Sequence, residues 1–141
     1  MLSLPLLPVS TPTLLLYAIA AAAALIYLPF LVVAYGRLQA GYDMASPRAL
    51  FDKLPDYAKR ATWAHENAFE SFVLFAAAAL VAYVTGVQSP LAGWAAIAYV
   101  TARLFYPAFY ILNVPVGRSL MFLTGSLSIA TLFGLSLLTV Q

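Results

Sequence analysis

The sequence predicts an all-α integral-membrane protein, a bundle of four membrane-spanning helices. The composition is 64% apolar and only 9% charged, whereas about a quarter of the residues in a soluble domain are charged. Four long apolar runs divide the chain, and at about 1.5 Å per residue each can cross the hydrocarbon core of a bilayer. With 141 residues, we expect residues 1–141 to form a single domain.

The composition also excludes several classes of protein. The net charge of only +2 comes without a solvated basic patch, so we do not expect a nucleic-acid partner. The chain has no cysteine, which excludes disulfides, thiolate zinc sites and a cysteine nucleophile. No metal site is predicted, and any thiol chemistry has to use a thiol that a substrate brings.

The first half of the chain is read as a leader, a helix and a loop. Residues 1–13 contain three prolines, which predicts an extended or interfacial leader. The first helix is predicted at about residues 14–35, where Pro29 should introduce a kink. Residues 37–59 form the only substantial polar segment, which predicts a surface loop with a short amphipathic turn around residues 50–54.

The second half predicts three more helices, at about residues 61–85, 91–112 and 118–140. Two tight turns separate them, residues 86–90 and 113–117, and each contains a glycine and a proline.

The positive residues predict how the chain sits in the membrane. All seven lie in the first loop, at its borders, or beside the turn before the last helix: Arg37, Arg48, Lys53, Lys59, Arg60, Arg103 and Arg118. Lysine and arginine accumulate in cytoplasmic loops. We therefore expect the first loop on the cytoplasmic side and both termini on the other side.

A polar patch opens the second helix, although charged residues cost about 2.5 to 3.5 kcal/mol each at the centre of a membrane helix. At about 100° per residue, one face collects five polar or aromatic residues, with His65 on the opposite side. That face holds Arg60, Trp63, Glu66, Asn67 and Glu70. The helix thus offers polar groups to two neighbours. The alternative is that the glutamates only pair with arginines and tie helices together.

A second stripe follows on the third helix. Tyr99, Arg103, Tyr106 and Tyr110 are spaced by four, three and four residues, which places them on one helical face. An interfacial aromatic belt explains the tyrosines, and for Tyr99 we favour this interpretation. It explains Arg103 poorly, because Arg103 lies two turns inside the helix. The stripe and the patch on the second helix therefore predict a shared polar pocket.

Two motifs in register resemble one family. The second helix carries Arg60 and then Ala-His-Glu-Asn-Ala-Phe-Glu at residues 64–70, and the third carries Ala-Arg-Leu-Phe-Tyr-Pro-Ala-Phe-Tyr at residues 102–110, followed by Arg118. With its predicted helices and long first loop, the chain resembles, over nearly its whole length, the membrane-associated proteins in eicosanoid and glutathione metabolism (MAPEG), which include the microsomal glutathione transferases.

The resemblance implies a homotrimer with glutathione as co-substrate, held between neighbouring subunits near the cytoplasmic face. It implies a glutathione transferase or peroxidase acting on hydrophobic electrophiles or lipid hydroperoxides. Arg118 is the implied catalytic residue, a cation beside the glutathione thiol. The implied binding residues are Arg37, His65, Asn67, Glu70, Arg103, Tyr106 and Tyr110. For Arg118 the alternative is an anchor at the membrane surface, and for Arg37 it is a purely topological charge.

Two positions depart from the family pattern. Trp63 stands where glutathione-using members usually have an arginine, and Ser71 stands where they often have a tyrosine. These departures favour a second hypothesis, a non-catalytic lipid-binding or scaffold protein of the same fold, whereas the presence of Arg118 favours the enzyme. A third hypothesis is an accessory subunit of a larger membrane complex.

Overall fold

The computed structural model describes residues 9–141, and within them every regular element is helical. In chain order these elements are α1 (Thr11–Leu25), α2 (Tyr27–Gln39), a 3₁₀ helix (Pro47–Lys53), α3 (Asp56–Val84), α4 (Pro90–Ile111) and α5 (Pro115–Thr139). The all-α prediction is confirmed. Of the predicted leader, residues 1–8 lie outside the described part of the chain, and residues 11–13 are already helical.

The first predicted helix is two helices, because the chain breaks at Ile26 between α1 and α2. Pro29 is the cause. It has no N–H to donate to the carbonyl of Leu25, and its ring crowds the preceding turn. Pro29 itself lies in the first turn of α2, where a missing N–H costs little. The predicted kink is therefore present, three residues before the proline.

The predicted loop of residues 37–59 is shorter than expected, because α2 continues to Gln39 and α3 begins at Asp56. The Tyr57 hydroxyl donates to Oε1 of Gln39 at 2.6 Å and joins the two helix ends. The predicted turn around residues 50–54 lies in and directly after the 3₁₀ helix, held by buried Leu50 and Leu54. The polar composition of residues 37–59 therefore indicates that they lie outside the apolar layer. It does not indicate an irregular backbone, since much of this segment is helical.

Tight turns connect the last three helices close to the predicted positions. The side chain of Ser89 accepts a hydrogen bond from the Leu91 N–H at 3.3 Å and caps α4. Proline occupies the first position of both α4 and α5, where its fixed φ suits a helix start. Asn113, with φ of 57°, makes the left-handed turn between them.

Small residues allow close packing around α4, which contacts α1, α3 and α5. The core cluster is rich in alanine, including Ala18, Ala22, Ala78 and Ala79. Such residues mark helix interfaces in membranes, where they let backbones approach. α2 packs mainly against α3.

Three helical stretches within residues 9–141 are long and apolar enough to cross a membrane: Thr11–Gln39, Asp56–Val84 and Pro115–Thr139. α4 is not among them, because its arginine, prolines and tyrosines lower its mean hydropathy. Many of these residues are nevertheless buried against other helices, so they do not face lipid. The four spans and the sidedness of the chain stay predictions.

Candidate functional site

The first half of α3 presents polar side chains to two different neighbours, as predicted. Asn67 contacts α4 through Arg103, whereas His65 lines a cavity against α2. Glu66 differs from its prediction: it lines the cavity beside His65 rather than the face of Asn67. Glu66 lies at the boundary between the two faces of α3, and the 3₁₀ helix forms another wall of the cavity that Glu66 lines.

Arg103 is buried inside the protein, with only 6% of its surface exposed. Its Nη1 donates to Oδ1 of Asn67 at 2.9 Å. Its guanidinium carbon lies 5.4 Å from the ring centroid of Tyr99 and 5.0 Å from that of Tyr106, within cation–π range. Gly125 of α5 leaves room for it, because a Cβ there would lie 3.1 Å from Nη2 of Arg103.

The belt interpretation of Tyr99 is wrong, because this tyrosine is only 1% exposed. Its ring stacks on Phe75 with a centroid distance of 3.7 Å, and its hydroxyl is 3.0 Å from Oγ of Ser71. Ser71 is thus a core residue that satisfies a buried phenol. Ser71 and Phe75, the two residues that contact Tyr99, are four residues apart. The sequence alone therefore places them on one face of α3.

Tyr106, Tyr110 and Arg118 converge on a cavity of about 270 Å³, which Ser119 and Phe122 also line. The rings of Tyr106 and Tyr110 meet edge to face, with centroids 5.6 Å apart. The guanidinium carbon of Arg118 lies 4.8 Å from the Tyr110 ring centroid. Two tyrosines and one arginine therefore surround a space that can hold part of a small polar ligand.

The start of α5 fixes Arg118 in this position. Its backbone N–H donates to the carbonyl of Val114 at 3.0 Å. The preceding Gly117 lies so close to Phe109 of α4 that a Cβ would be 2.8 Å from the ring. A glycine is needed at this contact, and it lets Arg118 reach the tyrosines of α4.

Glu70 is exposed on α3. Within residues 9–141 neither Glu66 nor Glu70 forms an ion pair with an arginine. The alternative that these glutamates tie helices together within one chain is therefore wrong. Arg60 has the tying role instead: its Nε donates to the carbonyl of Ile111 at 2.9 Å and caps the end of α4.

A second, larger cavity of about 580 Å³ lies between α2, the 3₁₀ helix and α3. Arg37, Arg48, His65 and Glu66 line it together with apolar side chains. His65 donates its Nδ1–H to the carbonyl of Ile26 at 2.9 Å, since a carbonyl can only accept. Nε of Arg37 is buried and has no hydrogen-bond partner within the described residues.

The two cavities share no lining residue. One chain brings together Asn67, Arg103, Tyr106, Tyr110 and Arg118, but it does not bring Arg37 and His65 to them. This set of donors can bind a ligand that carries carboxylates, and the exposed Glu70 can accept a hydrogen bond from an amino group.

Comparison with known families supplies the assignment. The model of the MAPEG family matches residues 14–138, nearly the whole chain. Comparisons with curated proteins and with solved structures gave no match. The matched segment contains both motifs and all the residues predicted for the site, and the helices in it are long and apolar enough for an integral membrane protein. This chain belongs to the MAPEG family.

Proposed function

We propose that the protein is a membrane-bound glutathione transferase with peroxidase activity on lipid hydroperoxides. One observation carries the proposal: the Arg118 guanidinium stacks on Tyr110 and lines a cavity with Tyr106. A surface anchor would extend toward water, whereas Arg118 is half-buried. A buried or partly buried cation beside a cavity is a strong binding group for an anion.

The chemistry follows from the thiol. A free thiol has a pKa of about 8.5, so only a few per cent is thiolate at neutral pH. A cation within a few ångströms lowers the thiol pKa by about one to three units. The proton leaves to water, and the sulfur uses its lone pair to form a bond to the electrophilic carbon. In a substitution the leaving group departs with its bonding electrons.

The peroxidase reaction uses the same thiolate. Its sulfur attacks the terminal oxygen of the hydroperoxide, the O–O bond breaks, and the lipid alcohol leaves after taking up a proton. The thiol of a second glutathione then attacks the sulfur of the sulfenic acid and displaces hydroxide. The hydroxide takes up the thiol proton and leaves as water. Two glutathiones are oxidised to the disulfide while one hydroperoxide is reduced.

The remaining residues divide the binding of the tripeptide. Asn67, Tyr106 and Tyr110 offer donors to its carboxylates and carbonyls, and Glu70 accepts from its α-amino group. Arg37 and His65 line the other cavity, so in this proposal they reach the tripeptide from a neighbouring subunit. The protein is then a homotrimer of four-span subunits with the site near the cytoplasmic face. The apolar substrate enters from the lipid between helices.

The test is titration of the purified protein with glutathione by calorimetry, followed by a conjugation assay with a small aromatic electrophile. We expect saturable binding and turnover that depends on both substrates. Absence of glutathione binding would refute the proposal.

A second candidate is a non-catalytic lipid-binding or scaffold protein. Trp63 supports it, because it replaces an expected cation with a ring that is 45% exposed and lies 5.9 Å from the Phe51 ring. This candidate predicts lipid binding without conjugation or peroxide reduction.

A further inference from the structure

Arg103 differs from Tyr106, Tyr110 and Arg118, because it is buried without lining the cavity that these three residues share. Asn67 and Tyr106 both contact its guanidinium, and only 6% of its surface is exposed. Tyr106 is as buried as Arg103, but Tyr106 lines the cavity beside Arg118 and Arg103 does not. The influence of Arg103 on the site has to pass through the residues that it touches.

The hydrogen bond from Arg103 fixes the orientation of the Asn67 amide. A guanidinium only donates hydrogen bonds, so the atom of Asn67 that faces it at 2.9 Å is the oxygen, Oδ1. The amide nitrogen, Nδ2, then lies on the other side of the group. It has no hydrogen-bond partner within residues 9–141, and Asn67 is only half-buried. Both of its N–H groups are free to donate.

The structure around Arg103 holds its guanidinium in place. Tyr99 and Tyr106 lie on it at cation–π distance, and Tyr99 is itself fixed by the stacked ring of Phe75. Gly125 completes the enclosure: a Cβ there would lie 3.1 Å from Nη2 and 3.4 Å from Nε of Arg103. The 3.1 Å contact would require the guanidinium to shift by a few tenths of an ångström, and the surrounding rings oppose this shift.

We infer that Arg103 is a positioning residue: it turns the Asn67 amide so that Nδ2 donates to a carboxylate or carbonyl oxygen of glutathione, and Gly125 is the residue that permits this. The inference rests on the proposed function, since it names what the oriented amide serves. It assigns Arg103 an indirect role in binding and gives Gly125 a role that no motif indicated.

The test is a double-mutant cycle on glutathione affinity. Gly125→Ala displaces the guanidinium without touching the ligand, and we expect about tenfold weaker binding, as for a lost hydrogen bond to a charged group. In an Asn67→Ala background the same change should have a clearly smaller effect, because the amide through which Arg103 acts is gone and only its contact with Tyr106 remains. Gly134→Ala on the same helix is the matched control, since a Cβ there meets nothing within 4 Å.

A purely structural role for Arg103 gives a different result. It would lower the stability of Gly125→Ala equally in both backgrounds and leave the two effects on affinity additive, which overturns the inference. If Gly125→Ala does not fold, Arg103→Lys replaces it in the cycle, because a lysine cannot bond Asn67 with the guanidinium geometry. If the unmutated protein fails to bind glutathione, the proposed function fails and the inference with it. Additive effects in a protein that binds glutathione overturn the inference alone.

Discussion

The Arg118 guanidinium lies on the ring of Tyr110, with its carbon 4.8 Å from the ring centroid. α5 begins only three residues earlier, at Pro115, so the two residues meet across a tight turn between consecutive helices. The stacking limits the freedom of a long side chain and leaves its N–H groups along the edge of a cavity. Arg118 is thereby preorganised for an anion.

Arg118→Ala should impair the chemistry more than the binding of glutathione. Removing the cation should raise the pKa of the bound thiol by about one to three units, which means at least about tenfold less thiolate at neutral pH. Because the pKa rises, the rate of the variant should recover as the pH is increased. The measurement is thiolate absorbance in the ultraviolet together with turnover across pH. Arg118→Lys keeps the charge and should retain part of the signal. Full thiolate and full rate in the alanine variant would make Arg118 an anchor.

Glu70→Gln should weaken glutathione binding by about tenfold, because it removes the charged acceptor for the α-amino group. A glutathione analogue without that amino group should bind the variant and the unmutated protein equally well. Asp56→Asn is the control, since Asp56 is an exposed carboxylate on the same helix that lines neither cavity. Equal losses for glutathione and the analogue would contradict the assignment of Glu70.

Ser71→Ala should lower the free energy of unfolding by about 1 to 3 kcal/mol, because it leaves the buried Tyr99 hydroxyl without its partner. The double variant Ser71→Ala, Tyr99→Phe removes both polar groups and should cost less than the single change. Denaturant unfolding in detergent measures both. Ser126→Ala is the control, because its hydroxyl bonds only to a carbonyl of its own helix. A double variant that is less stable than Ser71→Ala would show that the hydrogen bond is not the cause.

The helices and the register of the two motifs were predictable, but the environment of single side chains was not. In a membrane, lipid is as apolar as the protein interior, so hydrophobicity does not distinguish the two. Leu127 is 58% exposed and Leu132 is 0% exposed on the same helix. For the same reason the sequence predicts Tyr99 at the lipid interface, whereas the residue lies in the core. Small residues such as Ala78 and Ala79 were the better signal for the interior.

The depth of Arg103 could not be predicted either. The spacing of Arg103 with Tyr106 and Tyr110 predicts the correct face of α4. Residues on one face can either line the cavity or lie buried behind it, and the spacing does not distinguish these two positions. Gly125 decides between them by making room for the guanidinium, and that contact lies between residues 22 positions apart in the sequence. Local periodicity carries no information on such a contact.

The first loop should lie in the cytoplasm, because every lysine and arginine lies in it or near the turn before α5. A protease site inserted within residues 40–46, between α2 and the 3₁₀ helix, should be cut from the cytoplasmic side of sealed vesicles. A tag at the C-terminus should be protected from that side. Cleavage only after the vesicles are opened would reverse the assigned orientation.

A site shared between subunits predicts complementation in mixed trimers. Arg118 lines one cavity and Arg37 the other, and the two cavities have no lining residue in common. If each site takes Arg118 from one subunit and Arg37 from the next, Arg118→Ala and Arg37→Ala alone should each impair every site. In a ring of three, any mixed trimer then has one intact site, so random mixing of equal amounts should restore about a quarter of the sites.

The measurement is conjugation activity of the two variants expressed together, with native mass spectrometry to establish mixed trimers. Arg118→Ala mixed with Tyr110→Ala is the control: both changes affect the same cavity, so no exchange of subunits can rebuild it. Recovery in the first pair and none in the control requires that Arg37 and Arg118 come from different chains. Mixed trimers without recovery would place all the residues of a site in one subunit, and a monomer that binds glutathione would remove the shared site altogether.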